Sequence, residues 1–277
     1  MSYSRARRSV AALSIFALLA GIGGVTAAPS IVPTCDYTLG AGETLAVLEA
    51  GEVACGGPGA QSVTTMNGGV FYGRGGDDVV ATQNDGKFVG GGGDDSVGTQ
   101  NGGVFKGLDG DDRISTQYGT FHGGPGSDRV GDLYAGARFN GGLGRDKVTG
   151  FQYGGEFIGG RGSDRVRELQ GGRYEGGRGK DRAGAVMGGV FLGGDAADFA
   201  RYVIGPGKFK GGPGPDTAQE VGWNAVVFGA GGNDRISVML YGSSTYYGGA
   251  GYDSAVVCRY TANKMVAVEK KVWVTCF

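Results

Sequence analysis

The chain has 277 residues, with 26 Lys and Arg against 27 Asp and Glu and a formal charge of −1, which argues against nucleic acid as the partner because that needs a basic surface. Its 62 glycines, more than a fifth of the residues, exclude an ordinary globular composition, and 7 prolines with no period of three exclude collagen. Disorder is the remaining alternative for so much glycine, and only a periodic pattern can refute it.

In chain order, Arg5, Arg7 and Arg8 precede the apolar run VAALSIFALLA, and Val25 and Ala27 stand at the −3 and −1 places of a cleavage site. Residues 1–27 are therefore predicted to be a secretory signal peptide. The residues around the Arg7-Arg8 pair match a twin-arginine signal poorly, which favours general secretion. The apolar run is about half of the roughly 20 residues that a spanning helix needs, so no membrane span is expected after cleavage. Loss of the three arginines takes the formal charge to −4 over the 250 residues that follow. The expected product is secreted and extracellular, with association to the cell surface included.

Residues 28–55 are read as an N-terminal cap, 56–255 as repeats and 256–277 as a C-terminal cap. The repeat shows once the aspartates are aligned. Asp78, Asp95, Asp112, Asp128, Asp146, Asp164, Asp181, Asp198, Asp216, Asp234 and Asp253 stand 16 to 19 residues apart, each closing a glycine-rich six-residue stretch such as GGGGDD, GLDGDD or GGRGSD. A further copy, GGPGAQ from Gly56 to Gln61, has glutamine in place of the acid. Two apolar columns hold the same register. Val80, Val97, Ile114 and their equivalents follow the aspartates by two residues, and Phe71, Phe88, Phe105 and theirs precede them by seven. Each unit thus carries two short strands with one inward side chain apiece, joined by turns where glycine accepts positive φ.

A circuit of 17 or 18 residues is too short for three ordinary strands. The fold class predicted is all-β, a parallel β-roll or β-solenoid of about twelve coils, with rungs about 4.8 Å apart and a rod of roughly 58 Å. No single repeat could bury its apolar residues alone, so the stack supplies the core. Cys35 and Cys55 flank its start, and Cys258 and Cys276 flank the segment after its last repeat. Pairing Cys35 with Cys55 and Cys258 with Cys276 avoids joining rod ends roughly 50 Å apart, so both ends are expected to be disulfide-stapled caps. The tail MVAVEKKVWVTC alternates like a capping strand.

The unit GGxGxDxU, with U apolar, resembles the nonapeptide of the repeats-in-toxin, or haemolysin-type calcium-binding, proteins over about Gly56 to Ala255. The resemblance implies calcium between successive glycine-rich turns, held by aspartate carboxylates and turn carbonyls. Here the carboxylates would be those of Asp78 through Asp253 named above. The carbonyls would come from glycines such as Gly90, Gly92, Gly123, Gly126, Gly141, Gly144, Gly159 and Gly162. The chemistry agrees: calcium takes six to eight hard oxygens, backbone carbonyls included, and a stack of carboxylates needs a counterion. Only one turn per coil keeps the motif, so one ion column is expected. The acid-rich turns at Asp78, Asp95 and Asp112, and that at Asp234 with Asn233 before it, make the strongest sites. Asp128 and Asp164 follow, and Asp146, Asp181, Asp198 and Asp216 make the weakest.

Basic residues open a competing reading. Arg113, Arg129, Lys147, Arg165, Arg182 and Arg235 follow their aspartates directly, while Arg145 and Lys180 precede theirs. They could neutralise the column without metal, or bind an anionic polymer. Side chains alternate along a strand, so a basic residue just after an aspartate should point away from it. Turn-amide hydrogen bonding by the aspartates is the plain structural alternative. Thr65, Thr82, Thr99 and Thr116, with Asn67, Asn84 and Asn101, form a second ladder. These threonines share strand parity with the inward valines and are read as hydroxyl and amide stacking. The sole histidine, His122, has no nucleophile motif beside it, and a repeated acid column supplies no unique acid–base pair. A polysaccharide-active enzyme is therefore the weakest reading, and a non-enzymatic calcium-binding protein with a structural, adhesive or cell-surface role is the expectation. A cell-wall or other extracellular polymer is the partner considered beside calcium.

Overall fold

The computed structural model describes residues 34–239, 242–258 and 262–275. The predicted signal peptide and Cys276 lie outside the described residues. Within them the protein is a parallel β-solenoid of 26 strands and no helix, so none is long and apolar enough to cross a membrane. Two strands, Ser62–Gly75 and Val79–Gly92, run continuously through both faces of their coils, and later coils are broken into two strands, of five to seven residues each up to Cys258.

The register is the same from coil to coil. On one face Phe71 pairs with Phe88, Phe88 with Phe105, and Phe139 with Phe157. On the other, Val63 pairs with Val80, Val80 with Val97, and Val148 with Val166. Both columns are buried, at 0–3 % exposure from Val63 to Ala255. The rings from Phe71 to Phe209 stack with centroids 4.7–5.0 Å apart and planes within 14° of parallel. One rung of sheet therefore sets the spacing of one aromatic stack, within the range where aromatic pairs attract.

The stack has about fourteen rungs, two more than the repeat motif counts. Register, and not the glycine-rich turn, defines a coil. Tyr37 pairs with Ala54 and Leu45 with Val63 at the start, and Met265 pairs with Tyr246 and Lys271 with Ala255 at the end. The end segments are thus coils in their own right. The tail is two strands, Lys264–Val266 and Lys270–Val274, and not one capping strand, with buried Val268 between them. Lys270 and Lys271 on this last rung charge an open sheet edge, a known guard against edge-to-edge pairing. At the other end Cys35 and Cys55 form a disulfide with Cα atoms 5.8 Å apart. Cys258 is also disulfide-bonded, and its expected partner Cys276 is outside the described residues.

A third inward column lies three residues beyond the valine column in most coils, four at Gln152 and two at Val257. Leu48, Met66, Gln83, Gln100, Gln117, Leu133, Gln152 and Leu169 have no exposed surface, and neither do Val186, Val203, Val221, Met239 and Val257. Strict alternation would have put Thr65, Thr82, Thr99 and Thr116 inward. They are half-buried instead, because the strand bends at the corner of the coil and turns the next residue to the core. The buried glutamines remain satisfied as donors: Nε2 of Gln83, Gln100, Gln117 and Gln152 donates to the carbonyls of Val104, Thr120, Arg138 and Arg173 at 2.8–3.1 Å. Beside this corner Asn101 Nδ2 donates to Asn84 Oδ1 at 2.8 Å, and Asn84 Nδ2 to Asn67 Oδ1 at 2.9 Å, an exposed amide ladder.

Candidate functional site

The glycine-rich turn ends in an aspartate whose side chain folds back across the turn. The first glycine of each turn makes this possible. A methyl group added at Gly73, Gly90, Gly123, Gly141 or Gly159 would overlap Oδ2 of Asp78, Asp95, Asp128, Asp146 or Asp164. The carboxylate occupies the space that a side chain there would need. All eleven aspartates from Asp78 to Asp253 are consequently interior, at 0–3 % exposure.

Their two oxygens have different fates. Oδ1 of each aspartate accepts the backbone N–H of the equivalent residue one coil earlier, beginning with Gln61 N–H to Asp78. The series continues through Asp78 to Asp95, Asp146 to Asp164 and Asp234 to Asp253. It ends where Asp253 N–H donates to Glu269 Oε2 at 2.7 Å. Along the whole column these bonds measure 2.7–2.9 Å. Each aspartate carbonyl from Asp78 to Asp234 in turn accepts the amide that follows the next aspartate, as Ser96 N–H does to Asp78 and Arg165 N–H to Asp146, and that of Asp253 accepts Lys270 N–H, which follows Glu269. Oδ2 is buried without a hydrogen-bond partner in every one of the eleven.

A buried, unpartnered carboxylate oxygen is costly when charged, and burial pushes these carboxyl pKa values up. Asp78, Asp146, Asp181 and Asp234 rise to about 6, and Asp112, Asp164 and Asp216 to about 7. Asp95, Asp128 and Asp198 rise to about 8, and Asp253 is raised as well. Desolvation is the main cause in each. The amide bond to Oδ1 opposes it, and neighbouring aspartates such as Asp78 and Asp112 around Asp95 add to it. In the first acid-rich coils a second, exposed ladder adds negative charge beside the column. Asp77 accepts Asp94 N–H, Asp94 accepts Asp111 N–H and Asp111 accepts Ser127 N–H, at 2.7–2.9 Å.

The carbonyls expected to complete a calcium cage divide into two groups. Those of Gly90 and Gly141 approach the same points as Asp78 Oδ2 and Asp128 Oδ2, each from the next coil, and Gly176 does so at Asp164. Gly123 and Gly159, like Gly90 and Gly141, also leave the space in which their own coil's aspartate lies. Gly126, Gly144 and Gly162 have φ of 144°, 130° and 154°, and a side chain on any of the three would strike the carbonyl of the matching glycine one coil earlier. The carbonyls of Gly126 and Gly144 therefore face along the rod to the matching glycine of the next turn. Gly92 uses its carbonyl to accept Gly76 N–H at 2.7 Å.

The donor chemistry suits a hard cation. At several rungs, those of Asp78, Asp128, Asp164, Asp181, Asp198 and Asp234 among them, one orphaned carboxylate oxygen and one glycine carbonyl from the following coil line the same space, both of the kind calcium takes. Among the described residues no three carboxylate, imidazole or thiolate side chains converge on one point, so backbone carbonyls and bridging between rungs would have to complete the coordination. The basic residues do not perform the neutralising task. Arg113, Arg129, Arg165, Arg182 and Arg235 are exposed, as are Arg145 and Lys180 inside their turns, and Lys147 is half-buried. Ion pairs are made instead by Arg138, Arg173 and Arg178 with Glu156, Glu175 and Asp195. The graded strengths expected along the column have no counterpart in its hydrogen bonds, which are uniform even at Asp198, where Ala196 adopts φ 83° in place of the fourth glycine.

Two parts of this arrangement escape a sequence reading. The direction of the Oδ1 bond is one, since spacing aligns the aspartates without saying which coil each oxygen serves. The terminal acceptor Glu269 is the other; its only signal is its position 16 residues after Asp253. Comparison with protein-family models, with curated proteins and with solved structures returns no match for the chain.

Proposed function

We propose that the chain is an exported calcium-binding β-roll of the repeats-in-toxin kind, with a structural, adhesive or cell-surface role. The observation that carries the reading is the row of eleven buried Oδ2 atoms without a hydrogen-bond partner. A column of interior carboxylates one rung apart calls for positive charge, and among the described residues no basic side chain forms an ion pair with it. Asp78 through Asp253 would hold the ions, with carbonyls such as those of Gly90, Gly141 and Gly176 from the next coil. Bound calcium would neutralise the column and tie successive coils together. Filling is expected to begin at Asp78, Asp95 and Asp112, where Asp77, Asp94 and Asp111 add negative charge. The role carries no catalytic step, because a repeated column offers no unique pair of carboxyl groups.

A second reading, a metal-independent solenoid, is favoured by the raised carboxyl pKa values. Protons would then take the place of ions, with Oδ2–H able to donate to the next coil's glycine carbonyl. Chelation separates the two. With EDTA at pH 8 the protein is expected to melt several degrees lower than with calcium in excess, since each site at a hundredfold its Kd contributes about 2.7 kcal/mol. Terbium added to the chelator-free protein should luminesce through Tyr174, whose hydroxyl is raised in pKa first by burial and then by the nearby Asp181, Asp164 and Asp198. Melting and luminescence that both ignore chelator and calcium would overturn the calcium reading.

A further inference from the structure

The outer surface of the valine face carries a run of positive charge that the aspartate column does not use. Arg113, Arg129, Lys147, Arg165 and Arg182 are direct Cα partners in five consecutive coils. The ladder is one charge per rung, about 19 Å long at about 4.8 Å per rung. The coils before it place uncharged Val79 and Ser96 in the same column, and Phe199 follows it. Its second outward column contains Ser115, Gly131, Thr149, Arg167 and Gly184 on these coils, and carboxylates enter only at the half-buried corner beyond it, at Asp132 and Glu168. The aspartates that precede the five basic residues are buried, and the two corner acids are hydrogen-bonded within the corner: Asp132 Oδ1 accepts Phe151 N–H at 2.7 Å, and Glu168 accepts from Gln170 Nε2 at 2.9 Å. Arg167 lies 5.7 Å from the Phe151 ring and Arg182 5.8 Å from the Phe199 ring, which holds both guanidinium groups over the sheet.

Five like charges in register repel one another, and in a chain with slightly more acid than base their concentration on one flat face is a segregation of charge. The pitch is informative as well as the sign. A linear polymer lying along the rod meets a cation at every rung, which suits an extended chain bearing one carboxylate on each sugar. The phosphates of one strand of duplex DNA advance about 3.4 Å and curve away around the helix. We propose that this face binds a linear anionic polysaccharide along the rod axis, with Arg113, Arg129, Lys147, Arg165 and Arg182 each serving one acidic group and Arg167 beside them. The guanidinium groups can take a carboxylate in bidentate fashion.

The inference rests on the register of this face and not on calcium, so binding is measured in EDTA and again in calcium, and the two readings stand or fall separately. The probe is polygalacturonate, with dextran as the neutral polymer and a single-stranded oligonucleotide as the other polyanion. Polygalacturonate is expected to bind in EDTA, weakening as salt is raised, while dextran does not. The double variant Arg129→Gln/Arg165→Gln should bind at least tenfold more weakly with an unchanged melting temperature, since both side chains are exposed. Arg138→Gln/Arg173→Gln, the same change of charge on the opposite face, should stay within twofold of the parent. Absence of polygalacturonate binding, or equal binding by the Arg129/Arg165 variant and the parent, would overturn the proposal. Tighter binding of the oligonucleotide than of polygalacturonate at equal salt would overturn it in favour of nucleic acid.

Discussion

Phe139→Ala is expected to cost about 3–5 kcal/mol, the range for removing a buried phenylalanine. Phe139 has no exposed surface and is stacked between Phe121 at 5.0 Å and Phe157 at 4.7 Å. The core of a two-faced coil is only one side chain deep from each face, so the gap has few neighbours able to move into it. A solenoid depends on contacts between adjacent repeats, and the loss of two stacked interfaces in the middle of the rod is the least favourable place for it. At about 2–4 °C per kcal/mol for a chain of this size, the melting temperature should fall on the order of 10 °C. Guanidinium unfolding of Phe139→Ala beside Phe139→Leu checks this, with leucine retaining more than half of the stability. A loss under about 1 kcal/mol would mean that the aromatic column is not what holds the coils together.

The second large effect is at Asp164, and it depends on which atom is removed. Asp164→Ala deletes the Oδ1 that accepts Asp146 N–H at 2.8 Å, leaving a buried amide unpartnered at a cost of about 1–3 kcal/mol. The space beside Gly159 is emptied as well. Asp164→Asn keeps that acceptor and replaces the orphaned Oδ2 with an NH₂ donor beside the Gly176 carbonyl. In EDTA at pH 8, where the parent carboxyl with its pKa raised to about 7 is ionised, the expected order of melting temperature is Asn, then parent, then Ala. In excess calcium the parent should overtake Asn, because the amide cannot supply the charge. Asn and Ala melting alike in EDTA would show that the Oδ1 bond contributes little.

The aspartate, valine and phenylalanine columns are legible in the sequence because every coil repeats them in one register. The end coils are less so. Tyr37, Leu45 and Met265 occupy core positions of the same columns, but without the glycine-rich turn nothing in the local sequence aligns them. The glutamine column was obscured by a different cause. Alternation with period two holds within a flat strand, and the bend between Val80 and Gln83 turns residues three apart toward the same core. At the candidate site the spacing locates every carboxylate and says nothing of its depth. Whether an aspartate hangs from a turn or folds into it depends on the missing side chain of the glycine five residues earlier, as at Gly159 and Asp164.

The central claim, that the aspartates form a buried column needing either protons or a cation, is tested most directly by melting temperature against pH, with EDTA and with calcium. An unfolded aspartate titrates near 3.9, whereas the folded column titrates mostly at about 6 to 8. Protonation therefore favours the folded state. Its contribution is complete below about pH 4 and is lost as pH rises through the folded pKa values. In EDTA the melting temperature should decline from about pH 4 to about pH 8, steepest near pH 5 to 6, where the folded carboxyls still hold their protons and the unfolded ones have lost theirs, and more gently from about 6 to 8 as the folded carboxyls ionise in turn. Calcium should restore it at pH 8 to 9 and do little at pH 5, where protons hold the carboxylates. A melting temperature in EDTA that stays level or rises across pH 6 to 8 would contradict the account.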